Sequence, residues 1–135
     1  MKLIAYTDGA SFGNPGSSGI GVVVQDGNGK VLKEYCENIG QGTNNRAEYM
    51  ALLKSIDLAE ELGGDELEVR SDSLLVVSQV NGLYKIKNLD IKSFVVQLHD
   101  KIKKANLKFK IVHIPRELNK PADRLSKKGA GLVTE

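Results

Sequence analysis

The sequence predicts an α/β fold, a mixed sheet with helices on both faces. Three observations lead there. Between Lys2 and Ile39, three β-rich segments follow one another through short glycine-rich turns, the pattern of an antiparallel meander. After Gly40 the chain alternates helix and strand patterns. Right-handed crossovers then set the fourth and fifth strands parallel to the first.

Leu3 to Tyr6 can fill a core, and this first strand ends on Asp8. Gly9, Gly13, Asn14, Pro15 and Gly16 predict tight turns directly after it. Ser18 to Gln25 is a β-branched second strand, and Asp26-Gly27-Asn28-Gly29 is a hairpin turn. Val31 to Ile39 reads as the third, with Val31, Tyr35 and Ile39 on one side of the pleat, before Gly40-Gln41-Gly42 breaks the pattern.

Thr43, Asn44 or Asn45 can cap a helix that runs to about Leu62 and stops at Gly63-Gly64. Its apolar stripe is Ala51, Leu52, Ile56, Ala59 and Leu62, with Lys54, Asp57 and Glu61 opposite. Glu48 lies on the apolar side, where an acid is out of place unless it snorkels or favours the helix dipole. Leu67 to Asp72 is a fourth strand, again ending on an aspartate, and Ser73 to Asn81 is helical. Ile91, Phe94, Val95, Leu98 and Ile102 mark an amphipathic helix from Asp90 to about Lys104. Leu107 to Ile114 alternates as a fifth strand. A loop then leads through Asn119, a possible N-cap, and Pro121 into a last helix ending by Gly129. The tail to Glu135 carries no signal of its own, and residues 1–135 read as one domain.

This topology brings acids together. Asp8 and Asp72 close adjacent parallel strands, Glu48 lies in the helix over them, and Asp123 begins the last helix just past the fifth strand. Ligands in such sheets gather outside the carboxyl ends of the strands, where the strand order switches. Singly, each acid could cap a turn or favour a helix dipole. Together, without a cation, they would repel one another. Oxygen donors suit Mg²⁺, with Mn²⁺ as a substitute, and the lack of His or Cys ligands argues against zinc. Two ions ~4 Å apart could activate a water and stabilise a leaving phosphodiester oxygen.

Composition narrows the class further. Hydrophobic content of 41% and charged content of 27% are ordinary for a globular chain with a real core. The one cysteine, Cys36, excludes an internal disulfide framework and reads as a small buried hydrophobe. No apolar run reaches the ~18 residues of a membrane span, and no signal peptide is visible. A cytoplasmic location is expected. Ten of the nineteen Lys and Arg fall between Lys101 and Lys128, against two acids, which suggests a polyanionic partner.

The motifs Tyr6-Thr7-Asp8-Gly9-Ala10-Ser11-Phe12-Gly13-Asn14-Pro15-Gly16, Thr43-Asn44-Asn45-Arg46-Ala47-Glu48, Ser71-Asp72-Ser73 and Asn119-Lys120-Pro121-Ala122-Asp123 stand in this order along nearly the whole length of the chain. In them the sequence resembles the ribonuclease H type 1 family. The resemblance implies a five-stranded sheet of order 3-2-1-4-5. It implies an endonuclease that cleaves the RNA strand of RNA·DNA hybrids with two divalent ions, leaving 5′-phosphate and 3′-hydroxyl ends. Asp8, Glu48, Asp72 and Asp123 match the metal-binding carboxylates. Asn14 and the Thr43-Asn44-Asn45 segment match residues of the hybrid's groove. Asn14, Asn44, Asn45 and Gln79 carry amides that can donate to and accept from the 2′-hydroxyls that mark RNA.

The chain departs from many bacterial members in two places. It lacks their long basic protrusion, since Gly82 to Asn88 is short and the chain has no Trp. Tyr84, Lys85 and Lys87 are the local candidates to replace it, and some members of this kind also cut double-stranded RNA. Tyr84 could equally be a core-edge aromatic. Two residues compete for the auxiliary role of a mobile family histidine. His113 has suitable spacing but lies in the alternating strand, where a half-buried structural histidine is the alternative. Arg116 follows in the loop and resembles an arginine found in its place in some members. A monomer is expected.

Overall fold

The structure, a computed structural model, describes residues 1–131. The expected tail lies largely beyond them. The strands are β1 (Lys2–Gly13), β2 (Gly16–Asp26), β3 (Val31–Gly42), β4 (Glu66–Ser71) and β5 (Lys108–His113). The helices are α1 (Asn44–Glu61), α2 (Leu74–Val80), α3 (Leu89–Lys104) and α4 (Lys120–Gly131), with a 3-10 turn at Arg116–Leu118. The sheet order is β3-β2-β1-β4-β5, with β1, β2 and β3 antiparallel and β4 and β5 parallel to β1.

The first strand does not stop at Asp8. It continues to Gly13 because β2 pairs with it as far as Gly13 opposite Gly16. The other neighbour leaves earlier: β4 pairs with β1 only up to Thr7 opposite Ser71. Asp8 therefore stands in mid-strand where β1 and β4 part. The tight turn is confined to Gly13–Gly16, and Gly13 at φ +97° uses glycine's freedom there. Likewise β3 runs on through Gly40-Gln41-Gly42. Its register against β2 skips Leu32 and Ile39, so the alternation is interrupted twice. Val31 is consequently exposed while Leu32, Tyr35 and Ile39 pack on the core. Cys36 is half-buried rather than buried.

Thr43 is the cap of α1: its hydroxyl accepts from Arg46 N at 3.2 Å. The helix ends at Leu62, with Gly63 at φ +75°. α1 is buried more fully than its predicted stripe, because it lies between the sheet and α3. Tyr49 is wholly buried and stacks on Phe94 of α3 with ring centroids 5.6 Å apart. Across this layer, Lys101 Nζ meets Asp57 Oδ1 at 2.8 Å.

The opposite face is covered by α4 through small residues. A Cβ on Gly19 would collide with the backbone at Ser126 and Ala130, and one on Gly21 with Ala122 and Ser126. The helix backbone therefore rides directly on β2. Asn119 does not act as the side-chain cap of α4. It is fully buried, its amide nitrogen donates to Thr7 O at 2.9 Å, and its Oδ1 has no partner among the described residues.

Gly19→Ala should destabilise the protein by about 2 kcal/mol or more, since backbone rather than a flexible side chain would have to yield. Urea denaturation beside the parent protein measures this.

Candidate active site

Asp8 sits directly opposite Gly21 in the β1–β2 ladder. Directly paired residues share a face of a sheet, and here it is the face covered by α4. Ser126 Oγ lies 3.0 Å from Asp8 Oδ2. The next residue, Gly9, alternates toward α1, where the absence of a Cβ lets the backbone of Ala47 and Glu48 approach. Gly9 N donates to Glu48 Oε1 at 2.6 Å. Asp72 follows the end of β4, and Asn119 Nδ2 donates to its Oδ2 at 3.0 Å. Asp8, Glu48 and Asp72 can thus each offer an oxygen, all within 4.8 Å of one another.

Asp123 lines the same cleft at the start of α4 but stands outside this tight group, with Oδ2 3.1 Å from Lys127 Nζ. Arg116 and Lys127 complete the wall of this 390 Å³ cleft, which Asn44 and Asn45 also line. Asn44 and Asn45 belong as well to a second cleft of 780 Å³, which runs between the start of α1 and the first half of α3. Asn14, Thr43, Phe94 and the polar Asn88, Ser93 and Gln97 line it. Asn14 Oδ1 accepts from Asn44 N at 3.1 Å and joins the β1–β2 turn to the helix start.

The acids are held against their chemistry. Burial pushes Asp8 up from 3.8 to about 6, and the charge of Asp72 adds to the rise. Burial also raises Glu48 well above the usual carboxylate range, with Asp8 beside it as the next cause. At 6% and 9% exposure these two residues have little water to stabilise their charge. The donor set is hard oxygen only, with no His or Cys in the cluster. It suits a hard divalent cation.

Other predicted residues stand apart. Gln79 lines neither cleft, and its Oε1 accepts from Tyr49 Oη at 2.7 Å. Tyr84 is 51% exposed and is not a core-edge aromatic, while Lys85 and Lys87 are also exposed and outside both clefts. His113 is exposed at the end of β5, not half-buried, and only Arg116 of the competing pair lines the carboxylate cleft. Asn119 and Ser126 were not legible as site residues. The available signal was a serine within the small buried stripe Ala122, Ser126, Gly129 and Ala130.

A family model described as "Reverse transcriptase-like" matches residues 6–129. Ribonuclease HI of Halobacterium salinarum is 37% identical over 125 residues, which is 93% of this chain and 62% of that protein. The crystal structure of RNase H1 from the same archaeon superposes with a TM-score of 0.92 at 35% identity, covering 96% of this chain and 97% of the other. This chain belongs to the ribonuclease H type 1 family. LC11-RNase H1 in complex with an RNA/DNA hybrid gives a TM-score of 0.91 at 40% identity, over 98% of this chain and 99% of the other. The bifunctional protein Rv2228c of Mycobacterium tuberculosis is 40% identical over 130 residues, or 93% of this chain and 35% of its own length. The chain thus spans less than two thirds of the curated relatives just named. In this ribonuclease H domain, α2 and α3 are joined by a short connection, Asn81–Asn88.

The raised acids have a consequence for stability. Folded Asp8 and Glu48 bind protons more tightly than they do in the unfolded chain. Without divalent cations native Asp8 then carries extra protons between pH ~4 and ~6, Glu48 shifts in the same direction, and stability falls as pH rises through that window. Asp8→Asn should flatten the fall and be more stable than the parent at pH 7, by on the order of 2 kcal/mol. Urea denaturation in EDTA at both ends of the window checks the sign. Asn119→Ala should lower stability by about 1–3 kcal/mol by removing donors to Thr7 and Asp72, read from Tm by calorimetry.

Proposed function

We propose that this chain is an endoribonuclease that hydrolyses the RNA strand of RNA·DNA hybrids, with residues 1–135 forming one catalytic domain. The observation that carries the reading is the buried trio Asp8, Glu48 and Asp72, opening into a cleft that continues into a second, amide-lined one. Asp8, Glu48, Asp72 and Asp123 would hold two Mg²⁺ ions, or Mn²⁺ in their place. The ions would supply charge to lower the pKa of an attacking water and to stabilise the departing oxygen.

The chain's own residues bind and orient. The Thr43 hydroxyl and the start of α1, where the helix dipole favours an anion, offer a site for a phosphate of the DNA strand. Asn14, Asn44 and Asn45 present amides to the groove, where 2′-hydroxyls distinguish one strand from the other. Glu48 has a second oxygen that can accept from such a hydroxyl. Arg116, in the cleft wall, offers fixed positive charge to the scissile phosphate and cannot act as a base at neutral pH. Its position supports it over His113 for the auxiliary role. Water oxygen bonds to phosphorus, the bond to the 3′-oxygen breaks, and that oxygen takes a proton, giving 5′-phosphate and 3′-hydroxyl ends. Tyr84, Lys85 and Lys87 would meet the hybrid away from the cleft, and Gln79 would act through Tyr49. We read the enzyme as a monomer of the cytoplasm. Among the described residues no helix is long and apolar enough to cross a membrane.

Asp8→Asn should remain folded by circular dichroism and lose cleavage by roughly 10³-fold or more. EDTA should stop the parent enzyme, and Mg²⁺ or Mn²⁺ should restore it. A labelled panel of hybrid, double-stranded RNA, duplex DNA and a four-way junction tests the substrate. Preferred cutting of the junction, or undiminished cleavage by Asp8→Asn, would overturn the reading.

A further inference from the structure

Ser126 belongs to no motif and faces the wrong way to touch a substrate. It is fully buried on the sheet side of α4, in a stripe otherwise made of Ala122, Gly129 and Ala130. Its hydroxyl is the only polar side-chain group in that stripe. It has two acceptors for one proton: the carbonyl of Asp123 at 2.8 Å and Asp8 Oδ2 at 3.0 Å. Back-bonding to the carbonyl three residues earlier is the ordinary habit of a helical serine. The carboxylate is the stronger acceptor once ionised.

The approach of Ser126 to Asp8 is built into the sheet. Gly21 faces Asp8 across the ladder, and an added Cβ there would lie 2.6 Å from Ser126 N. Any larger residue at position 21 would push the hydroxyl out of reach. Among the neutral side chains described, Ser126 donates to the Asp8 carboxylate, which the carboxyl groups of Glu48 and Asp123 also approach within hydrogen-bond reach. Glu48 has Gly9 N and Asp72 has Asn119 Nδ2. Each member of the trio therefore has one oxygen held by a neutral donor.

We propose that Ser126 is a positioning residue for Asp8: by holding Oδ2 it sets the carboxylate so that the remaining oxygen can bind a divalent cation. The inference rests on the metal-dependent reading of the cleft. It concerns the preorganisation of one ligand, and no contact of Ser126 with substrate or ion is involved.

Mn²⁺ binding to the nuclease without nucleic acid, followed by electron paramagnetic resonance of the free ion, tests it. Ser126→Ala should fold normally and weaken Mn²⁺ binding by about 10-fold. Ser126→Thr, which keeps the hydroxyl, should recover most of that loss. In cleavage assays the Ala variant should need more Mn²⁺ to reach half of its maximal rate, with the KM for hybrid unchanged. Ala130→Gly, a change in the same stripe with no contact to Asp8, serves as the packing control. Equal Mn²⁺ affinity in the parent and a folded Ser126→Ala would overturn the inference and leave the metal reading intact. So would a loss no greater than that of Ala130→Gly at a matched drop in Tm. A parent protein that binds no Mn²⁺ would overturn the metal reading itself, and this inference with it.

Discussion

The structure depends on backbone-to-backbone contact on both faces of one pair of strands. At Gly9 the first turns of α1 press on β1, and at Gly19 and Gly21 the length of α4 presses on β2. No side chain separates helix from sheet at these points, so the groups that the helices carry reach the strands. Glu48 arrives from one face and Ser126 from the other, while β4 peels away from β1 and leaves Asp8 and Asp72 at the opening. The site is assembled by close approach, with no long side chains bridging gaps.

That assembly is electrostatically uphill for the protein alone. Two of the three clustered acids are buried, their charged forms are disfavoured, and the neutral donors of Gly9, Ser126 and Asn119 offset only part of the cost. A fold does not keep such a cluster for stability. The opposing energies are reconciled if the acids serve a cation, a trade of stability for function that is usual at active sites. Around the cluster, Arg116 and Lys127 line the cleft wall. A phosphate can therefore approach an acidic centre past positive charge.

Much of this was legible in local patterns. Period-two and period-3.6 runs located every strand and helix, most to within a few residues and β1 with its end five residues short, and the strand-end aspartates with Glu48 pointed to a shared site. The errors have physical causes. Asp8 was read as a strand end because glycine followed it, yet Gly9 is there for helix contact and not for a turn. Gly40-Gln41-Gly42 was read as a break, although β2 holds it in the ladder. Tyr49 was missed because a helix between two layers is buried on two sides, and a single stripe does not capture that. Tyr84, in the short α2–α3 connection, and His113, at the end of β5, are exposed where the alternatives had a core edge and a half-buried strand position.

By itself, then, the sequence determined the class of fold, the order of elements, the identity of the acids and the amide-bearing turn and cap near them. These follow from residue type and spacing, which are local quantities. The tertiary structure alone decided which polar groups hold the acids, that Asp123 stands beside the trio and not within it, and that Arg116 and not His113 enters the cleft. Those outcomes depend on how far two chain segments approach. A missing Cβ at Gly9 or Gly21 controls that distance for partners far away in the sequence. Spacing along the chain carries no record of it.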